Sequence, residues 1–186
     1  LDFHVEEGVL IPRPDTEILV EEVLNFSKNK SVLDLCTGSG CIIISLSKLG
    51  NINKAVAADI SKEALQVAKR NAEKLNVDVT FIYSDLYEKI EGRFDIIVSN
   101  PPYIKSVELL SLMPEVRDHE PKLALDGGSD GLLIYQRIIK DAVRFLNPGG
   151  HVFLEIGYDQ GKALSGMLKD AGFTDIYIKK DYGGLD

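Results

Sequence analysis

The stretch Phe94-Asp95-Ile96-Ile97-Val98-Ser99-Asn100-Pro101-Pro102-Tyr103 runs an apolar, strand-like segment into an amide, two prolines and an aromatic ring. A buried parallel strand that ends this way hands a reactive side chain to the edge of a sheet. Pro101 and Pro102 carry no N–H and cannot extend a ladder, so the corner offers carbonyl acceptors. Such a corner suits attack by a planar NH2, of an amide or a ring amine, on an electrophile. The Asn100 side-chain oxygen and the Pro101 carbonyl would each accept one N–H, orient the nitrogen and stabilise the positive charge developing on it. Tyr103 would lie flat against the planar group. The plainer alternative is a strand ending in a tight turn capped by Asn100.

A second constellation precedes it. The strand-like run Ser31 to Cys36 ends in Thr37-Gly38-Ser39-Gly40 and opens into a helix, Cys41 to Leu49, the order of a nucleotide-binding unit. Gly38 and Gly40 match the first two glycines of the dinucleotide fingerprint, but Ile43 stands where the third belongs, and no Gly-Lys-Ser/Thr follows to make a phosphate loop. The turn still lets backbone approach a ligand closely. Asp59 lies 19 residues beyond Gly40 at the end of the next strand, the place for a carboxylate that takes both ribose hydroxyls. Capping of the next helix is its alternative role, one that Ser61 already suits. After the third strand, Asp85 would accept from the exocyclic amine of adenine while Leu86 packs on the ring; a plain turn Asp fits the same position.

The elements that must position these groups follow from periodicity. Phe3 to Leu10 reads as a short hairpin around Gly8. Asp15 or Thr16 caps a helix running to about Ser27, and Arg13 before it is either a loop residue in a salt bridge or a ligand contact. Strands are expected at Ser31–Cys36, Lys54–Ala58, Val79–Tyr83, Phe94–Ser99, His151–Ile156 and Phe173–Lys179. Amphipathic helices are expected at Ser61–Leu75, from Asp130 to Leu146, and at Gln160–Ala171. Asn147-Pro148-Gly149-Gly150 is a turn signal. Ile104 to Gly128 is a long irregular stretch after the reactive corner, expected to be a lid or substrate-binding loop. His119 within it is nominated as a general base, against the plainer role of a hydrogen-bonded bystander. Apolar strands alternating with amphipathic helices give an α/β fold, a mainly parallel Rossmann-like sheet with helices on both faces and ligands beyond its carboxyl edge.

Composition bounds the rest. The chain has 186 residues, 45% hydrophobic and 27% charged, the size and make-up of one globular domain. A net charge of −8 is a poor basis for gripping nucleic acid through its phosphates. Cys36, Cys41 and the scattered His4, His119 and His151 form no metal-ligand spacing, and two free thiols fit a reducing, cytoplasmic setting. No run is long enough for a membrane span and no signal peptide is seen. Because the chain opens at Leu1, it is read as a piece of a longer protein.

A nucleoside cofactor without a phosphate loop, beside a pocket for a planar NH2, points to S-adenosylmethionine. Its sulfonium needs neither metal nor phosphate clamp, and an acidic surround tolerates its charge. No dedicated base is demanded. Four segments then carry a resemblance: Ile11-Pro12-Arg13-Pro14-Asp15-Thr16-Glu17, Asp34-Leu35-Cys36-Thr37-Gly38-Ser39-Gly40, Asn100-Pro101-Pro102-Tyr103, and Glu120-Pro121 through Asp126-Gly127-Gly128-Ser129-Asp130-Gly131. In order and spacing they resemble the peptide-chain release factor glutamine methyltransferases of the HemK type, over essentially the whole chain.

The resemblance implies the seven-stranded class I methyltransferase fold, with residues 1–186 as its catalytic domain. It implies N5-methylation of the glutamine in the Gly-Gly-Gln loop of a release factor. Cys36 to Gly40, Asp59, Leu86 and Asn100 would contact the cofactor, and Asn100, Pro101, Pro102 and Tyr103 would hold the glutamine. A helical N-terminal domain and the last strand of the fold are expected to lie outside this chain. Cys36 stands where many relatives have glycine. The rival reading is an amino-methyltransferase acting on adenine N6 or guanine N2 of nucleic acid, using the same kind of corner on a flipped base. The acidic balance speaks against it.

Overall fold

A computed structural model of the chain describes residues 1–185; in the sequence the tail Asp181 to Asp186 reads as a turn, and its last residue, Asp186, lies outside them. The elements in order are α1 (Thr16–Leu24), β1 (Ser31–Leu35), α2 (Cys41–Leu49), β2 (Lys54–Asp59), α3 (Lys62–Leu75), β3 (Thr80–Tyr83) and β4 (Phe94–Ser99). A 3-10 turn (Leu109–Ser111) and two one-turn helices, α4 (Pro114–Arg117) and α5 (Lys122–Leu125), lead to α6 (Leu133–Phe145), β5 (Leu146–Leu154) and α7 (Gly161–Asp170).

The five strands form one parallel sheet in the order β3-β2-β1-β4-β5. Residue alternation divides its two faces. Val32 of β1, with Ile96 and Val98 of β4, meets Ile42, Ile43 and Leu46 of α2 and Val23 of α1. Leu33, Leu35 and Ile97 face the other way, onto Ile138 and Ala142 of α6. Each of these fully buried aliphatic side chains contributes about 1.5–3 kcal/mol by leaving water. Register then sets the site: Leu35 pairs with both Ala58 and Ser99, so β1, β2 and β4 end level and release Cys36, Asp59 and Asn100 at one edge. This is the expected α/β architecture with helices on both faces.

Two expected elements are absent among the described residues. Phe3 to Leu10 makes a turn without strands. Its backbone pairs instead with a side chain on α3: the His4 N–H donates to Asn71 Oδ1 at 2.8 Å, and Asn71 Nδ2 donates to the His4 carbonyl at 2.9 Å. Buried Asn71 thus stands in for a strand's peptide group. Phe173 to Lys179 is likewise irregular. An alternating pattern becomes a strand only beside a free edge, and this segment crosses to α1, where the Tyr177 hydroxyl and Lys179 Nζ both donate to Glu22.

Two others shift. The chain enters α6 through Asp130, whose Oδ1 accepts from the Leu132 N–H at 2.9 Å, and the helix itself starts at Leu133. β5 begins before its turn signal: Phe94 pairs with Leu146 but Ile96 pairs with His151, so Asn147 to Gly150 bulge out. Asp95 holds the bulge by accepting from Asn147 Nδ2 and steadies β1 by accepting from Ser31. No helix among the described residues is long and apolar enough to cross a membrane.

Candidate active site at the carboxyl edge of the sheet

Above the level strand ends lies a cleft with about 1150 Å³ of empty volume, part of it open to solvent. Cys36, Thr37, Gly38 and Ser39 form one wall, and Asp59 closes the β2 side. Asp85 and Leu86 stand at the β3 side, with Asn100 and Pro102 at the β4 end. The sequence-based candidates Gly40, Pro101 and Tyr103 are near this cleft but do not line it.

Gly40 is a packing residue. Its backbone is left-handed (φ +80°), and a Cβ there would fall 2.8 Å from Ile44 Cδ1 and 3.1 Å from Ala68 Cβ, so glycine alone lets α2 and α3 meet behind the turn. Asp59 joins the turns that follow β1 and β2: Oδ2 accepts from the Gly38 N–H and Oδ1 from the Ser61 N–H, both at 2.8 Å. Ser61 Oγ caps α3, accepting from the Ala64 N–H at 3.1 Å. Burial pushes the Asp59 pKa up, against the hydrogen bonds from Ser61, Gly38 and Ile60. A carboxylate oxygen can accept more than one hydrogen bond, and Asp59 lines the cleft.

Below the turn, buried Asp34 accepts from Thr37 Oγ1 at 2.6 Å, and its Oδ1 has no partner. Burial raises this carboxyl to about 7. Two residues lining the cleft, Cys36 (φ 58°) and Leu86 (φ 48°), are left-handed without being Gly or Asn, and such strain collects at binding sites. Burial also pushes both cysteine thiols up, Cys41 to about 12.

The corner after β4 is held from behind. Ser99 Oγ donates to the Leu35 carbonyl at 2.7 Å. Asn100 Nδ2 lies 3.5 Å from Thr16 Oγ1, and Thr16 Oγ1 donates to Glu155 Oε2 at 2.7 Å. Pro101 is buried. Tyr103 packs on the layer formed by Tyr135, Ile139 and Leu164, and burial lifts its phenol to about 12. Its carbonyl accepts from Gln160 Nε2 at 3.0 Å. At Gly131 a Cβ would fall 2.4 Å from that same carbonyl. The Asp126-Gly127-Gly128 segment thus closes on the chain leaving the corner: Ile104 bridges Asp126, and the Gly127 N–H donates to the Ile104 carbonyl at 2.8 Å. The long stretch is therefore a loop pinned at its base, with Pro121, Leu123 and Ala124 reaching the cleft. His119 is exposed and does not line it.

Three participants were not anticipated. Glu155, half-buried just beyond β5, is the one acid in an apolar run, and that was its available signal. Thr16, one of two candidates in the sequence to cap α1, is instead the first residue of that helix, with Asp15 at the cap position. Arg137 of α6 donates to Asp85 Oδ2 at 2.8 Å inside the cleft, and nothing in the pattern of an amphipathic helix marks it. Arg13 takes the salt-bridge alternative, pairing with the buried Glu120 carboxylate. Among the described residues no cluster of three His, Cys, Asp or Glu side chains suits a metal ion.

A parallel sheet with its glycine turn, acidic β2 end and asparagine corner at one edge defines a class I methyltransferase. A family model for the methyltransferase small domain matches residues 13–115. A solved ribosomal protein L11 methylase from Lactobacillus delbrueckii superposes with a TM-score of 0.68 at 25% identity, over 92% of this chain and 76% of that one. A Pyrococcus furiosus methyltransferase gives 0.73 at 23% identity, over 96% and 83%, a likeness of fold. Within that class the chain belongs to the release factor glutamine methyltransferase family. It is 47% identical to the release factor glutamine methyltransferase of Clostridium acetobutylicum, over all of this chain and 68% of that protein. With the enzyme of that name from Geobacter sulfurreducens it shares 45% identity, over all of this chain and 66% of that protein. The chain thus spans about two thirds of the length of these relatives.

Proposed function

We propose that this chain is the catalytic domain of a protein glutamine-N5 methyltransferase that uses S-adenosylmethionine to methylate the Gly-Gly-Gln glutamine of a peptide-chain release factor in the cytoplasm. The observation that carries the reading is the meeting of two half-sites at one sheet edge: a nucleoside-type wall from Cys36 to Asp59 and an acceptor corner at Asn100.

The residues present fit the cofactor. Gly38, with open space where a Cβ would stand, gives a close approach beside Asp59 for ribose hydroxyls, and Asp85 with Leu86 suits an adenine edge and face. No phosphate-binding loop competes. S-adenosylmethionine supplies an electrophilic methyl on a sulfonium. This chain's own contribution is orientation and charge. Asn100 Oδ1, at the cleft wall, accepts one N–H of the glutamine amide, aligns its nitrogen and stabilises the charge it acquires until the methylated nitrogen gives up one proton to water. The Pro101 carbonyl, expected to take the second N–H, belongs to a residue buried behind that wall. Pro102 and Tyr103 shape the corner around it. The acidic protein needs no metal and no nucleic-acid partner for this.

The test incubates the protein with methyl-labelled S-adenosylmethionine and either a release factor, its Gly-Gly-Gln to Gly-Gly-Ala variant, or RNA and DNA. Label in the wild-type release factor alone is the expected result. Label confined to nucleic acid would overturn the reading in favour of an adenine or guanine amino-methyltransferase.

A further inference from the structure

Asn100 can serve the reaction in one of its two amide orientations. With Oδ1 toward the cleft it accepts an N–H of the incoming amide; rotated by half a turn it presents an NH2 and repels that donor. The choice must be made by hydrogen-bond partners, because the amide's oxygen and nitrogen are alike in size.

Three segments meet behind the corner: the first residue of α1, the end of β4 and the residue after β5. An ionised Glu155 can only accept. Thr16 has one hydroxyl proton, and it is committed to Glu155 Oε2 at 2.7 Å. The hydroxyl's lone pairs are what remain for Asn100, whose Nδ2 sits 3.5 Å away, and the Glu155 carboxylate itself also accepts from the Asn100 side chain, which favours the same amide orientation. Thr16 is only 4% exposed, although it lies at the cleft wall. Glu155 is itself fixed in place: its N–H donates to the Ser99 carbonyl at 3.0 Å, and its carbonyl accepts from the Tyr135 hydroxyl at 2.7 Å.

Resting on the reading that Asn100 receives the glutamine amide, we infer that Thr16 and Glu155 are positioning residues that set the orientation of Asn100. Glu155 fixes the Thr16 proton, and Thr16 turns the Asn100 NH2 inward so that Oδ1 faces the substrate.

A pH dependence follows. Burial pushes the Glu155 pKa up, Asp15 adds to this, and Thr16, Asn100 and Arg13 oppose it. Tyr103 and Tyr135, beyond Asn100 and on α6, and Cys41 of α2 also face this carboxyl. Once protonated, Glu155 can donate to Thr16, the Thr16 proton is released toward Asn100, and the preference for one amide orientation is lost. Turnover therefore falls on the acid side.

The experiment compares T16V, T16S and E155Q with wild type in three measurements. These are cofactor affinity by calorimetry, kcat and KM on a release factor across pH, and the Asn100 side-chain NH2 signals in 15N–1H spectra, assigned by their loss in N100A. T16V and E155Q should each lower kcat by roughly 10- to 100-fold, the scale for misplacing one stabilising group, with cofactor affinity within about twofold. T16S, which keeps the hydroxyl, should regain most of the lost turnover, and E155Q should lose the acid limb of the profile. The Asn100 NH2 signals should move in T16V and E155Q and stay in T16S. Unmoved signals in T16V and E155Q, or equal loss of kcat in T16V and T16S, would overturn the assignment. If the wild type methylates no release factor yet the Asn100 signals respond as described, the release-factor reading fails and the orientation assignment stands.

Discussion

In the proposed reaction Asn100 acts through one atom, its Oδ1. In Asn100→Ala the cleft wall from Cys36 to Asp59 is untouched, so calorimetry should find S-adenosylmethionine bound nearly as in wild type while turnover falls by roughly 100-fold or more. Wild-type turnover in that variant would remove Asn100 from the mechanism. Asp59 gives the complementary case. Its two oxygens accept from Gly38 and Ser61, and an amide in its place turns one acceptor into a donor facing an N–H. Asp59→Asn should weaken cofactor affinity about tenfold or more, in line with about 1–3 kcal/mol for an unmade buried hydrogen bond; unchanged affinity would show that Asp59 only ties the turns together. At this scale sequence reading picked out residues of the cleft wall that a neighbour announces, such as Asn100 before two prolines or Asp59 at a strand end. It missed Thr16, Glu155 and Arg137, whose hydrogen bonds at this edge reach partners 84, 139 and 52 positions away.

Between residue and fold stand the elements, and here buried charge decides. The β1 carboxylate Asp34 is held up to about 7 by burial, against its bond from Thr37. An unfolded Asp loses its proton near pH 4, so from about pH 4 to 7 the folded state holds a proton that the unfolded chain has released. Stability from this group declines as pH rises through that window, on the order of 1 kcal/mol per unit, and the loss is complete above it. Asp34→Asn keeps an acceptor for Thr37 and abolishes the titration. Its stability relative to wild type in urea unfolding should therefore improve between pH 5 and pH 8, and an advantage constant with pH would show that Asp34 does not titrate there. Arg13 and Glu120 link the segment before α1 to the pinned loop. Arg13→Ala leaves a buried carboxylate alone, so amide hydrogen exchange across residues 105–126 should quicken; unaltered exchange would mean that the base of the loop holds it without this pair. The five long helices and the five observed strands were legible because their periods are strong, whereas the one-turn helices α4 and α5 fell in a stretch read as irregular. The hairpin and the sixth strand were misjudged for one physical reason: a strand pattern fixes a conformation only when a neighbouring edge completes its ladder, and a sequence does not show that the buried Asn71 side chain, or Glu22 on α1, has already engaged the segment.

For the whole molecule, folding and binding are coupled through one edge. Because every cofactor-facing group belongs to the folded state alone, S-adenosylmethionine at 100 times its dissociation constant should add about 2.7 kcal/mol. In a chain of this length that raises the melting temperature by about 5 to 10 °C, and no rise in a thermal shift assay would count against the cleft as a nucleoside site. Fold class and site location were readable together, since in a parallel sheet both follow from where strands end. The loop between Ile104 and Asp126 adds something of a different kind. Its two feet are joined by a bridge and clamped against Tyr103, so the ring can grow or shrink without shifting the corner beneath it, at a closure cost of only about 0.6 kcal/mol per doubling of length. On the proposal that this ring meets the substrate, substrate choice and chemistry are separately editable: descendants of this fold can acquire new clients by rewriting the ring while inheriting the transfer step unchanged.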